Sequence, residues 1–250
     1  KTLMQLSWAA QVANFTSGKV LILAPLAVIG QTIKEGIKFG FDIDSYGTNS
    51  TIQITNFEQL KNISTSMFAG VVLDESSILK GKDGATSSLI IESFKSYAYK
   101  LACTATPSPN DHMELGQHVE FLGYDTYNGM KAMFFIQDQK IKSTDKWRLR
   151  KHAEDDFWKY VCTWSISIDN PKTIGYEMKG YNLPNVDFIE HLFSVENNTN
   201  TLFADDAVSA TDLHNDLKKT FDARIEKAIE LVNSNNEQWI IWCLSNYEAD

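Results

Sequence analysis

Residues 70–75 read GVVLDE: a small-to-apolar run, Gly70-Val71-Val72-Leu73, that passes directly into the acidic pair Asp74-Glu75. A short apolar run bounded by polar residues predicts a buried strand. Three further runs of the same kind flank it. Residues 19–24 (KVLILA) end at Pro25, and residues 51–55 (TIQIT) form a shorter run. Residues 99–103 (YKLAC) lead into Thr104-Ala105-Thr106-Pro107. Between them lie helix-like segments at 2–15, 27–39, 57–63, 85–94 and 111–122. Strands alternating with helices predict an α/β fold, a parallel sheet with helices on both faces. Two of the four strands deliver polar, chemically capable residues at their C-terminal ends, the edge where open α/β sheets bind ligands.

The bulk numbers agree with a globular chain. Its 250 residues suffice for one sizeable core, or one complete domain and part of another. Hydrophobic residues make up 43% and charged residues 22%, and no apolar run approaches the length that spans a bilayer. No secretory signal is visible. Cys103, Cys162 and Cys243 are widely separated and odd in number, which predicts neither a disulfide framework nor a zinc site. Each sits in an apolar stretch and is expected to be a buried thiol in a reducing, cytoplasmic setting. A net charge of −9 argues against coating nucleic acid by bulk electrostatics, while leaving room for local phosphate contacts.

From 123 to 181 the alternation stops, and aromatics accumulate (Phe134, Phe135, Trp147, Phe157, Trp158, Trp164) beside a basic run from 140 to 151. A helix is expected at 153–162 with Phe157, Trp158 and Val161 inward, and a strand at 186–195. Leu213, Leu217, Phe221, Ile225, Ile229 and Val232 recur at helical spacing, predicting an amphipathic helix over 212–232. Residues 238–244 (QWIIWCL) are expected to open a new strand. The expected organisation is therefore a first lobe over 1–123, a connector or insertion over 124–210, and the start of a second lobe over 211–250.

The chemistry-bearing residues fall at the strand tips. An aspartate at a tip can hold Mg²⁺ while an adjacent glutamate reaches an attacking water, though an acidic pair there is also an ordinary solvated turn. Lys1-Thr2, followed by a helix-like run and then a strand, look like the end of a phosphate-binding P-loop, the lysine reaching phosphates and the threonine hydroxyl Mg²⁺. Thr104 and Thr106 can carry hydrogen bonds from such a site to a neighbouring surface; a Pro-terminated turn is the plainer alternative. Lys140, Lys142, Lys146, Arg148, Arg150 and Lys151, with Trp147 among them, form either a phosphate grip with a stacking ring or a solvated linker. The five histidines show no metal-ligand spacing.

The order of these elements resembles a family. Lys1-Thr2, LILAPLAVIGQT (21–32), ITNFEQL (54–60), VVLDESS (71–77) and LACTATPSPNDHMELGQHVEFLG (101–123) are similar to helicase motifs I, Ia, Ib, II and III of superfamily 2. The T-x-T-P-x-x-N-x-x-x-E-L pattern resembles the Snf-type branch, whose members translocate on double-stranded DNA. VVLDESS and NLPNVDFIEHLFSV (182–195) look closest to phage and prophage proteins of that branch. The resemblance implies RecA-like P-loop lobes and ATP hydrolysis coupled to movement on nucleic acid. It implies Lys1 and Thr2 at the ATP phosphates, Thr2 and Asp74 at Mg²⁺, and Glu75 polarising the attacking water. It further implies Thr104 and Thr106 coupling hydrolysis to movement, and Pro25, Thr55 and Asn56 facing the nucleic-acid backbone. Lys146, Arg148 and Arg150 join that track as candidates from their charge.

The expectation at this point is a chain cut at both ends, holding half of an ATPase site, inactive by itself and poor at binding ATP because the glycine-rich cradle lies outside it. Two rival readings are a P-loop NTPase without a nucleic-acid track and a non-catalytic DNA- or protein-binding module descended from such a motor.

Overall fold

The computed structural model describes residues 1–81, 84–137, 147–177, 184–192, 218 and 220–243. The run KVLILA forms the strand β1 (Lys19–Ala24), buried from Val20 to Ala24 because both of its faces are covered. β2 (Ile43–Ser45), β3 (Ile52–Asn56), β4 (Phe68–Asp74) and β5 (Tyr99–Cys103) join it in a five-stranded sheet of order β2-β3-β1-β4-β5. Every pairing in that sheet is parallel. Continuous apolar strands are what a doubly covered parallel sheet requires.

Alternation along the strands separates two cores. Val20, Ile22 and Ala24, with Ile52, Ile54 and Val72, pack against Leu6, Ala9, Val12 and Ala13 of α1 (Thr2–Thr16). Ile29 and Ile33 of α2 (Ile29–Lys38) lean on the same face. Leu21, Leu23, Val71 and Leu73 point the other way, onto Ile90 of α3 (Ala85–Ser93), Phe94, and Phe121 of α4 (Leu115–Leu122). Each such buried side chain contributes about 1.5–3 kcal/mol of transfer free energy. The fold is thus an α/β sheet with helices on both faces, as the sequence predicts and as a RecA-like lobe requires.

A third core lies beyond the sheet. Leu115 and Val119 of α4, Met130 and Phe134 of α5 (Tyr127–Phe134), and Phe157 and Val161 of α6 (Glu154–Trp164) pack with Phe135. Phe135–Gln137 pairs antiparallel with Trp147–Leu149 in a two-stranded ribbon, a feature the aromatic, non-alternating sequence does not announce. Of the inward residues expected on α6, Phe157 and Val161 are buried, whereas Trp158 is 40% exposed. Cys162 is likewise exposed, because it follows Val161 onto the outer side of the helix, and Cys243 is exposed too; only Cys103 is partly covered.

The chain divides into two compact units, Lys1–Asp169 and Asn170–Asp250. In the second, the helix Phe221–Asn233 carries the expected apolar stripe, with Phe221, Ile225, Ile229 and Val232 lining a groove together with Ile241 and Trp242. The rest of the expected 212–232 helix lies largely outside the described residues. The strands expected at 186–195 and 238–244 have no ladder in their described parts, 186–192 and 238–243. A run of β-forming residues becomes a strand only where a neighbour supplies its hydrogen bonds. Among the described residues no helix is long and apolar enough to cross a membrane.

Candidate functional site

Because all five strands are parallel, their C-terminal ends open on one edge. In register, Ala24 stands beside Asn56, and Asp74 beside Cys103. That edge therefore collects Pro25, Asn56, the Asp74-Glu75 pair and Thr104. α1 leads into β1 through a tight turn, and its first turn comes back to the same edge. Lys1 sits there as its N-cap, its carbonyl accepting the Gln5 amide N–H at 3.2 Å.

Six side chains, from α1, the end of β4 with the turn after it, and the end of β5, meet. Lys1 Nζ lies 3.0 Å from Asp74 Oδ1 and 2.9 Å from Glu75 Oε2. Thr104 Oγ1 donates to Glu75 Oε1 at 2.6 Å, and Ser77 Oγ donates to the same oxygen at 3.2 Å. Gln5, one helical turn beyond Lys1 and 1% exposed, donates its Nε2 to Asp74 Oδ1 at 2.8 Å. Both contacts to Asp74 thus fall on Oδ1. Thr106 returns its backbone N–H to Thr104 Oγ1 at 3.0 Å, closing the turn that presents Thr104. Thr2 is the first residue of α1, half-buried beside Lys1.

The electrostatics follow from these contacts. Partial burial works against the Lys1 charge, but its hydrogen bonds to Glu75 and Asp74 and their negative charges outweigh that, so its pKa rises. For Glu75 burial pushes upward, and the hydrogen bonds from Thr104 and Lys1 more than reverse it, lowering its pKa. Glu75 is ionised at neutral pH. Its backbone is left-handed, φ 62° and ψ 57°, uncommon for a residue with a Cβ and typical of functional turns. Burial raises the Cys103 thiol beside Gln5 and Asp74.

Sequence reasoning missed Gln5, Ser76 and His118. Ser76 Oγ lies 3.1 Å from His118 Nε2, and both residues are buried. Burial pushes the His118 pKa below its ordinary 6.5, despite the opposing backbone bond and charge of Glu114. Gln5 had one available signal, its position four residues after Lys1 on the same helix face. Ser76 and His118 had none, being 42 residues apart.

The candidates for a nucleic-acid track are more dispersed. Pro25 is half-buried at the edge, ahead of the 70% exposed Leu26. Thr55 is buried in β3, and Asn56 accepts from Gln59 N at 3.3 Å to cap a short 3-10 turn. Arg148 is exposed. Arg150 directs its guanidinium to the carbonyls of Met133 (3.0 Å) and Ala132 (3.3 Å) at the end of α5. Lys131 Nζ sits 3.6 Å from the centre of the Trp147 ring, so that ring already carries a cation on one face. Lys140, Lys142 and Lys146 lie outside the described residues.

No protein-family model matches the chain, and no curated protein matches it.

Among the described residues no group of three or more His, Cys, Asp or Glu is placed to hold a metal ion, so Asp74 and Thr2 are the residues here that could hold Mg²⁺ with phosphate and water. That ion takes hard oxygen ligands and commonly uses one or two carboxylates, completing its shell with water and phosphate. Asp74 supplies a carboxylate already drawn toward a cation on one oxygen, and the Thr2 hydroxyl stands at the adjoining helix start.

Proposed function

We propose that this chain carries the phosphate and hydrolysis side of an ATP-driven nucleic-acid translocase, acting on double-stranded DNA in the cytoplasm. The observation that carries the reading is the meeting of Lys1, Asp74, Glu75 and Thr104, from three elements, at the ligand-binding edge of a parallel sheet. A basic side chain at a helix start, opposite an acidic pair and a hydroxyl, is the set that phosphoryl transfer uses.

Lys1 would exchange its carboxylate partners for phosphate oxygens, aided by the positive N-terminal end of α1, whose first turn holds no acidic residue. Mg²⁺, held by Asp74 and Thr2, would supply neutralisation of phosphate charge. Glu75, kept ionised and aimed by Thr104, would accept a hydrogen bond from the attacking water and hold it in line. Movement of Thr104 would transmit the state of Glu75 to the loop that follows β5. The basic residues Lys146, Arg148 and Arg150 are weaker supports for the track, Arg150 being partly engaged with helix carbonyls.

The test is ATP hydrolysis by the full-length protein with and without duplex DNA, single-stranded DNA and RNA. Stimulation by duplex DNA is expected, and no stimulation by any of the three defeats the translocase reading in favour of a nucleotide hydrolase without a track. Glu75→Gln should lower the rate about 10²–10⁴-fold while ATP still binds. An unchanged rate in that variant would favour a non-catalytic module in which the four residues are only an ion-pair network.

A further inference from the structure

The segment 104–110 leaves the sheet at β5 and returns to it as α4. Both of its ends are tied to the turn that follows β4. At the near end Thr104 Oγ1 donates to Glu75 at 2.6 Å. At the far end Asn110 is held by Glu114, Nδ2 to Oε1 at 2.8 Å and N to Oε2 at 3.3 Å. One helical turn beyond Glu114, His118 meets Ser76, the residue after Glu75, at 3.1 Å. Ser76 is fully buried and His118 is 3% exposed. Neither takes part in the phosphate chemistry proposed above.

Backbone groups flank the ring: Nδ1 faces the Glu114 carbonyl oxygen at 3.4 Å, and the Ser76 backbone also bonds to the ring. In either tautomer the ring and the Ser76 hydroxyl remain a donor–acceptor pair, because a hydroxyl both donates and accepts. Glu75 meanwhile holds a left-handed conformation that persists only where its surroundings over-determine it. Fixing the Ser76 side chain removes the freedom of the peptide through which Glu75 would relax.

We propose that His118 is a positioning residue: by its hydrogen bond with the Ser76 hydroxyl it latches the Glu75 turn to α4, so that Glu75 and the segment 104–110 move as one body. The proposal rests on the reading of Glu75 as the residue that orients the attacking water. The latch has two separable consequences. Structurally, the Ile78 amide, which donates to Glu75 O at 3.3 Å within that turn, is protected while the latch is closed. Functionally, losing the latch misplaces Glu75 without touching phosphate binding, which lowers turnover and spares nucleotide affinity.

The experiment compares His118→Leu, His118→Gln, Ser76→Ala and the His118→Leu/Ser76→Ala double variant. In the full-length protein the leucine and alanine variants should each lose roughly ten- to a hundredfold in kcat, with KM for ATP little changed. The double variant should be no worse than either single one. Glutamine, whose carbonyl can accept from Ser76, should restore much of the rate. Independently of ATP, amide exchange at Ile78 in the 250-residue chain should quicken in Ser76→Ala and His118→Leu. Should His118→Leu not fold, Ser76→Ala and His118→Gln carry the same comparisons. Full turnover in a folded Ser76→Ala or His118→Leu, or additive losses in the double variant, would each overturn the latch. A wild-type protein that hydrolyses no ATP would instead overturn the reading of Glu75. Unchanged Ile78 exchange in the variants would then dispose of the latch separately.

Discussion

Glu75 accepts hydrogen bonds from Thr104, Ser77 and Lys1, and its charge is the point on which the site balances. Its pKa is lowered from 4.5 and that of Lys1 is raised from 10.5. A depressed carboxyl contributes stability above its unfolded value, lost as pH falls through the folded one; a raised ammonium contributes below its unfolded value, lost as pH rises through the folded one. The pair therefore stabilises the fold across the neutral range, with losses beginning only below about 4 and above about 10. Both side chains are more than a third exposed, so the gain is small and salt-sensitive. Thr104→Val, by removing the nearest donor, should move the Glu75 midpoint upward in a ¹³C carboxyl titration; an unmoved midpoint would mean that Lys1 and Ser77 hold it down without Thr104. Gln5 is a different case, since its amide is buried against Asp74. Gln5→Leu should cost about 1–3 kcal/mol in urea unfolding, the penalty for a buried carboxylate oxygen that loses a donor.

At the scale of elements, the junction of α4, α5 and α6 decides how firmly the segment 104–110 is anchored. Phe157 is completely buried among Phe134, Phe135 and Trp158, with ring centroids 5.4, 5.7 and 5.2 Å away. Phe157→Ala should destabilise Lys1–Asp169 by about 3–5 kcal/mol, and a loss below 1 kcal/mol in denaturant titration would show that this core is not cooperative with the sheet. Gly116 explains how closely α4 and α5 approach. A Cβ there would stand 2.5 Å from Tyr127 Cδ2, so Gly116→Ala must push the ring aside. It should lower Tm by several degrees, the response to roughly 1–3 kcal/mol of overpacking. Arg150 ties the ribbon to the end of α5 through two carbonyls, which makes part of the basic run a helix cap.

For the whole molecule, the three apolar cores found among the described residues lie between Leu6 and Val161, within the first compact unit. Lys1–Asp169 produced alone should therefore unfold cooperatively, with a single transition shared by near- and far-ultraviolet circular dichroism; a non-coincident pair of transitions would show that it depends on the remainder. The sheet was legible because burial on both faces demands continuous apolar runs, as in KVLILA and GVVLDE. β2 was not legible, since only Ile43 of its three residues is buried and three residues are too few to show a period. The ribbon of Phe135–Gln137 and Trp147–Leu149 was hidden for the same reason. In the site, Asp74, Glu75 and Thr104 were legible as polar residues at strand tips. Gln5, Ser76 and His118 were not, because a polar residue's partner is set by packing rather than by local pattern.

By itself the sequence determined the parallel α/β sheet and the edge on which its polar tips gather, because periodicity and burial are local properties of the chain. Only the tertiary structure decided that Lys1 lies against Asp74 and Glu75, that Thr104 aims Glu75, and that His118 reaches Ser76. Those distances depend on how α1 and α4 close over the two faces of the sheet, and residue spacing does not encode such long-range packing.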